Sequence, residues 1–540
     1  MNHDPQNPGN HSIPHLVTLM VIPLLLFCTS LVLKSYYGPY FLGQHSDPEY
    51  AYLLNSLNIV HSVVPGHTDH PGTTLQLLGA VGLLLKWFGH LATGGQLGID
   101  EFVLRNPEES LAAINLIVNV LVFAAFVFAS FSIYRSMRGL LPVLVFQLSL
   151  LVPLQVKVSL VRVNPEPLLV FAVLLLAGLV VRYRNPAIAS PSRSGLPLLI
   201  GMTMGFGLAS KVTFLPVLFL ILLFSPGRER VTALSACVMS FLLFTLPITT
   251  KFPQMLAWFG SVAAHNGQYG SGAVGMPPVA NMMENLLVLV RQEPTFFIFL
   301  AFYLAYLLVR QCSAGESATG RSEKLLLLGS SVMVAQILMT VKHPAVHYLL
   351  PAIAMTALLN AELCALLKAN PLFPIASLAT GLLCMVAVAG TAYCLYSVQS
   401  WVVKEEKYRQ SEAEFSRKVA AIGGCATASY YRASTLPYAL SFGNDFSGTR
   451  YGKELSRIHP GMVFYNMWSR QFCNYQGVMN SAAVVEMLKR EGGLLLVGMR
   501  LGPEESVKES LKLKPVIETP YSMAYELEGF NHSPHAKDQR

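Results

Sequence analysis

Long apolar runs, each able to cross a membrane as a helix, alternate along this chain with short polar segments. A helix rises about 1.5 Å per residue, so roughly 20 apolar residues cross a hydrocarbon core, and fewer suffice where neighbouring helices support the run. The pattern predicts about eleven spans: 16–33, 109–134, 140–157, 166–182, 196–210, 212–225, 231–250, 295–310, 325–341, 347–367 and 372–396. The two runs between 196 and 225 are short and read as a hairpin with Lys211 at its tip. The stretch 71–91 (PGTTLQLLGAVGLLLKWFGHL) is interrupted by Lys86 and reads as an amphipathic or re-entrant helix at the membrane surface. A long first outer loop then runs from 34 to about 108.

Beyond about residue 400 the pattern changes. KEEKYRQSEAEFSRK is charged and helical in character; ATASYY, MVFYNM and GGLLLVGM read as strands, and PYALSFGNDF and AAVVEMLKREG as helices. That alternation predicts a small α/β domain. The division is a transmembrane domain over 1–399 and a soluble, extracytoplasmic domain over 400–540.

Composition agrees. Hydrophobic residues make up 53% of the 540 and charged residues 13%, against about 25% charged in a soluble domain. The net charge of +8 comes from Lys and Arg scattered between apolar runs, so no nucleic-acid face is expected. The region before residue 16 has no Lys or Arg and no small-residue cleavage site follows, so 16–33 reads as a retained span. Arg135 and Arg138; Arg182, Arg184 and Arg193; Arg228 and Arg230; Arg310, Arg321 and Lys324; and Lys368 all fall on one side if the N-terminus is inside. The positive-inside rule then places the C-terminus outside. The eight Cys form no CxxC or Cys/His cluster. Cys425 and Cys473, in the polar part, fit either a disulfide in an oxidising compartment or two free thiols.

Ionisable groups beside spans are expensive and point to function. The outer-facing set comprises Asp47 and Glu49; His67, Asp69 and His70; Lys157, Arg162 and Glu166; Lys211; His265, in a loop with Tyr269; and Lys342, His343 and His347, followed by Tyr348. Cations on this side run against the positive-inside rule and suggest a compensating anion. Plainer readings compete: Lys157 and Arg162 as snorkelling side chains, Glu166 as a partner of Arg162, His61 and His90 as structural histidines, and 265–272 as a loop without chemistry. The His, Asp and His of HTDH match metal-ligand spacing only weakly. No cofactor is required by the pattern, and a divalent metal is left open.

The motifs run in order: Asp47-Pro48-Glu49 after the first span, Asp69-His70-Pro71-Gly72, Arg162 with Glu166, Lys211-x-Thr213 ending a Gly-rich span, and Lys-His-Pro…His-Tyr-Leu-Leu-Pro at 342–351. Over roughly 16–400 this arrangement resembles the GT-C class of polytopic glycosyltransferases, near the protein O-mannosyltransferases and the lipid A aminoarabinose transferases. The usual contiguous acidic pair is here split by Pro48, and the usual His-Pro-Pro is His-Pro-Gly. The resemblance implies an α-helical polytopic fold and inverting transfer of a sugar from a polyprenyl-phosphate donor to a lipid, glycan or protein acceptor. It also implies work at the outer face of a membrane, most simply a bacterial inner membrane. On it Asp47, with Glu49 and His70, supplies the catalytic groups. Lys211, Arg162 and Lys342 meet the donor phosphate, while His265, Tyr269, His347 and Tyr348 orient substrate. A transporter or flippase of a lipid-linked or small molecule is the main alternative; it predicts paired half-repeats, and none is visible. A lipid-linked glycan ligase or a non-enzymatic scaffold are the others.

Overall fold

A computed structural model of the chain describes residues 13–69, 71–137, 139–185, 195–313, 320–369, 376–422, 426–467, 469–480, 484, 494–500, 508–509 and 511–527. Among them, nine helices are long and apolar enough to cross a membrane, or ten if one bent pair counts as a single span. Two points differ from the eleven expected. The 71–91 stretch forms a continuous helix, Thr73–Ala92, that meets the length and hydropathy of a span. Its two flanks meet, His61 pairing with Asp100 at 2.6 Å, so the surface helix read from the sequence stands beside the span that its length alone allows. The runs 196–210 and 212–225 become a 15-residue α-helix, Leu196–Ser210, and a 12-residue 3-10 helix, Val212–Leu223, both shorter than a full span.

The chain divides into two compact units. The first comprises Met1–Leu33, Thr68–Leu75 and Leu116–Gln399; the second comprises Lys34–His67, Gln76–Asn115 and Ser400–Arg540.

The first unit is an all-helical bundle around one apolar core. Helix Leu350–Ala369 is sheathed by its neighbours, with Ala357, Leu359, Ala361 and Cys364 at 0% exposure. Polar groups inside it are matched: Asn360 Nδ2 donates to Ser149 Oγ at 2.9 Å and Tyr303 OH donates to Asn360 Oδ1 at 2.6 Å. Arg184 pairs with Glu362 at 2.5 Å. In apolar surroundings such groups need partners, and here each has one. Helices Leu196–Ser210 and Arg228–Thr245 approach closely because Gly201 and Gly205 face the Ala233 and Cys237 carbonyls; a Cβ would lie 2.1 and 2.2 Å from them. Small residues let membrane helices pack this tightly. Helices Leu140–Leu151 and Leu154–Leu160 meet at 68°. The bend falls at Pro153, which cannot donate to the preceding turn.

The second unit contains the α/β domain. Its seven-stranded sheet has the order β4-β3-β2-β1-β5-β7-β6, with β1 Ala426–Tyr430, β2 Val463–Asn466, β3 Gln471–Asn474, β4 Gly477–Val478, β5 Leu494–Met499, β6 Leu513–Glu518 and β7 Ser522–Leu527. β1 pairs in parallel with both β2 and β5, and the outer strands are antiparallel. The three expected strands are β1, β2 and β5. PYALSFGNDF is the helix Leu436–Phe446, whereas AAVVEMLKREG falls almost wholly outside the described residues. The charged segment after 400 is the end of a 47-residue helix, Ala376–Ile422, and its Phe415, Val419 and Ile422 cover one sheet face against Leu495, Val497, Ile517 and Ala524. The first-loop helix Ser46–Val60 belongs to the same unit. It packs on Leu436–Phe446 where Gly443 admits Tyr50; a Cβ there would sit 2.6 Å from the Tyr50 carbonyl. Asn55 Nδ2 donates to the Phe446 carbonyl at 3.1 Å and Asn58 Nδ2 to the Ser447 carbonyl at 3.0 Å.

Candidate functional site

In the first unit the polar motifs converge where helices break. Pro153 turns the chain so that the short helix Leu154–Leu160 delivers Arg162 and Asn164 to the start of helix Glu166–Arg184, whose second residue is Pro167. Glu166 begins that helix, where a negative side chain is favoured. Lys211 is the one extended residue between two helical runs (φ −162°, ψ 138°). Its ammonium is ion-paired with Glu166, each side chain 5% exposed. Arg162 and His347 lie within electrostatic range of Glu166, and Lys211 Nζ stands 5.1 Å from the centre of the Tyr348 ring. The backbone of Pro71 pairs with that of Lys211, and Thr74 Oγ1 donates to Ser210 Oγ at 2.7 Å. The segment Pro71–Thr74 and the Lys-x-Thr motif, about 140 residues apart in sequence, are therefore neighbours. Tyr269, at the tip of the 265–274 turn with φ 53°, shares a side-chain hydrogen bond with Tyr348.

Lys211, Glu166, Arg162 and His347 together leave net positive character beside one carboxylate. Three buried side-chain oxygens here, Thr73 Oγ1, Asn164 Oδ1 and Thr213 Oγ1, have no hydrogen-bond partner among the described residues. Each is within two residues of Pro71, Arg162 or Lys211. Fixed cations with unspent polar groups suit an anionic, oxygen-rich ligand.

Other residues lie elsewhere. Lys342 donates to the Val262 and Ala263 carbonyls at 2.7 and 2.9 Å, at the end of helix Phe252–Ala264. His265 Nδ1 bonds the Ser261 carbonyl at 3.0 Å and supports the turn. Lys157 does not snorkel: its ammonium is buried, bonded to the Leu151 carbonyl and 2.9 Å from Cys394 Sγ, with Glu293 in electrostatic range. His70 lies outside the described residues. Among the described residues no three His, Cys, Asp or Glu side chains gather as a metal-binding group.

In the second unit the acidic pair separates. Glu49 is fully buried and accepts from Tyr37 OH at 3.3 Å. Asp47 is 37% exposed and bonded to Arg432 Nη2 at 2.9 Å. His67 is buried between the Tyr52 and Phe446 rings, 5.0 and 5.2 Å away. His61 pairs with Asp100 at 2.6 Å. Sequence reasoning missed Arg432, Thr73 and Asn164. Arg432 carries no local signal, whereas the threonine directly after His-Pro-Gly was a visible cue.

No family profile matches this sequence, and no curated protein matches it. Its fold is matched by crystal structures of ArnT from Cupriavidus metallidurans. The structure bound to undecaprenyl phosphate aligns over 96% of this chain and 99% of that one, with TM-score 0.53 and 13% identity. The apo structure aligns over 95% and 98%, with TM-score 0.51 and 13% identity. The chain has an ArnT-like fold. The expected architecture, many apolar helices followed by a small strand-containing domain, is thus present over nearly the whole length.

Proposed function

We propose that this chain is an inverting membrane glycosyltransferase. It moves a sugar from a polyprenyl-phosphate donor to a lipid, glycan or protein acceptor at the outer face of a bacterial inner membrane. The observation that carries the reading is the buried Lys211–Glu166 pair with Arg162, His347 and Tyr348 beside the segment Pro71–Thr74, in a chain whose structural neighbour is an ArnT bound to undecaprenyl phosphate.

The acceptor oxygen or nitrogen attacks the anomeric carbon. The bond from that carbon to the phosphate oxygen breaks, its electron pair stays on the phosphate, and the anomeric configuration inverts. Lys211 and Arg162 offset the charge that grows on the leaving phosphate, Lys as a point charge and Arg through its fork. Glu166 holds the Lys211 ammonium in place. Tyr348, tied to Tyr269, offers an aromatic face to the sugar. The acceptor must also lose a proton to a general base, the role that the glycosyltransferase resemblance gives to Asp47. Lys342 holds the end of helix Phe252–Ala264 through two carbonyls, and Glu49 supports the loop that carries Asp47.

The test is turnover by the purified chain in lipid nanodiscs, given a panel of undecaprenyl-phosphate-linked hexose, N-acetylhexosamine and aminopentose. Release of undecaprenyl phosphate from at least one is expected; none released overturns the reading. Mass spectrometry of envelope glycolipids and glycoproteins with and without the gene then identifies the acceptor. For orientation, a periplasm-active reporter fused after residue 400 should be active and one within 185–194 silent. The reverse pattern would put the polar motifs in the cytoplasm.

A further inference from the structure

We infer that Arg432, in the turn after β1, is a positioning residue that acts through Asp47, both residues lying within the second unit. The inference rests on the glycosyltransferase reading above.

β1 lies between β2 and β5 and runs parallel to both. The chain leaves β1 for β2 on one side, and β5 arrives later on the other. Such a reversal opens a crevice beyond the carboxyl end of the strand, where open α/β sheets collect their binding residues. Here the chain beyond that end forms the turn Tyr431–Thr435. Ala433 N donates to the Tyr430 carbonyl at 3.0 Å and Thr435 N to the Ala433 carbonyl at 2.8 Å. Thr435 Oγ1 then caps the helix Leu436–Phe446 by accepting from Tyr438 N. Arg432 sits inside this turn with φ 51°. A left-handed backbone is disfavoured for arginine, and such outliers persist where the surroundings enforce them, often at functional sites.

Asp47 is just as firmly placed. Its backbone is extended (φ −110°, ψ 114°) directly before the regular part of helix Ser46–Val60. That helix is fixed on Leu436–Phe446 by Gly443 against Tyr50, by the two asparagine bonds to Phe446 and Ser447, and by Tyr451 OH donating to Asn58 Oδ1 at 2.9 Å. The contact from Arg432 Nη2 to Asp47 Oδ2, 2.9 Å, is thus set by the fold and does not depend on two mobile surface chains meeting. A pair this exposed contributes little to stability. It can still matter greatly to rate, because a base displaced by about 1 Å loses on the order of 100-fold.

The test uses full-length protein in nanodiscs. It reads hydrolysis of whichever undecaprenyl-phosphate-linked sugar of the panel is turned over, with water as acceptor. Arg432→Ala should lower kcat about 10- to 100-fold, with donor KM within about 3-fold and Tm within about 2 °C of the parent. Arg432→Lys should recover part of the loss, since an ammonium cannot reproduce the planar fork. In an Asp47→Asn background, Arg432→Ala should cost nothing further, as expected for two residues acting as one unit. Arg457→Ala, which removes a comparable exposed pair with Glu101 at 3.0 Å, should leave turnover unchanged. Turnover of Arg432→Ala within about 3-fold of the parent, or losses from Arg432→Ala and Asp47→Asn that multiply, would overturn the inference. A parent that turns over no donor removes the glycosyltransferase reading, and this inference with it.

Discussion

Glu166 and Lys211 hold each other at 5% side-chain exposure, 45 residues apart in sequence. Each is the other's main counter-charge, which separates two effects of mutating either one. Lys211→Ala takes the ion-paired cation from a buried carboxylate and leaves only Arg162 and His347 in electrostatic range, at a cost of up to about 3–5 kcal/mol of stability. Loss of activity in that variant alone would therefore be ambiguous. The double variant Lys211→Met/Glu166→Gln removes both charges and should recover most of the lost Tm. If Lys211 meets the donor phosphate, the double variant stays about 30- to 1000-fold slow despite being well folded. Near-parental turnover by the double variant would show that the pair is only structural.

Close helix packing in the first unit gives a prediction independent of chemistry. A Cβ on Gly205 would lie 2.2 Å from the Cys237 carbonyl, which helix backbone cannot vacate cheaply. Gly205→Val should cost about 1–3 kcal/mol or more, seen as a lower Tm in detergent. Gly260, in the helix Phe252–Ala264, has nothing within 4 Å of its would-be Cβ. Gly260→Ala should be neutral or stabilising by about 0.5–1 kcal/mol through helix propensity. Equal effects at the two glycines would contradict the packing.

How much of this was legible in the sequence depended on the range of the interaction. Apolar runs reveal helices because burial in lipid acts residue by residue, and the strands of the C-terminal domain showed through in the same way. Arg162, Glu166, Lys211 and His347 could be collected because ionisable groups beside spans are costly wherever they point. That Glu166 pairs with Lys211, and not simply with nearby Arg162, is a tertiary fact. Likewise, Arg432 lies 385 residues from Asp47, and nothing around it distinguishes it from other arginines. The 71–91 helix is apolar enough to count as a span, and what bears on its placement is again tertiary: its flanks meet through His61 and Asp100, 39 residues apart.

Cys473 gives a test in the α/β domain. It is a free thiol on β3, while Cys425, the other half of the disulfide considered from sequence, lies outside the described residues. Burial, with the nearby Asp445 charge, pushes the Cys473 thiol up to about 11. At pH 8 that leaves only about 0.1% thiolate, the reactive form. Iodoacetamide at pH 8 should label Cys473 slowly in the native protein and rapidly after denaturation, as read by peptide mass spectrometry. Rapid native labelling would mean the strand is not packed as described, and a Cys425–Cys473 disulfide peptide would mean the pair is oxidised.

Asp47→Asn tests the general base most directly, because the structure leaves each competing role a different outcome. The extended backbone of Asp47, directly before a helix, is the geometry of an N-cap. Asparagine caps as well as aspartate, and its carbonyl oxygen can still accept from Arg432, whose nitrogen stands 2.9 Å from Oδ2. The substitution therefore preserves both structural roles. What it removes is the carboxylate's ability to take a proton from the attacking acceptor, a loss of about 10²–10⁴ in rate. The expected result is a Tm within about 1–2 °C of the parent, since neither cap nor pair is lost, together with that fall in donor turnover. Donor KM should change little, because the contribution belongs to the transition state and not to donor binding. Turnover within a few-fold of the parent at unchanged Tm would leave Asp47 as a cap and an anchor for Arg432, and the base would have to be sought among the remaining acids, beginning with Asp69, two residues before Pro71.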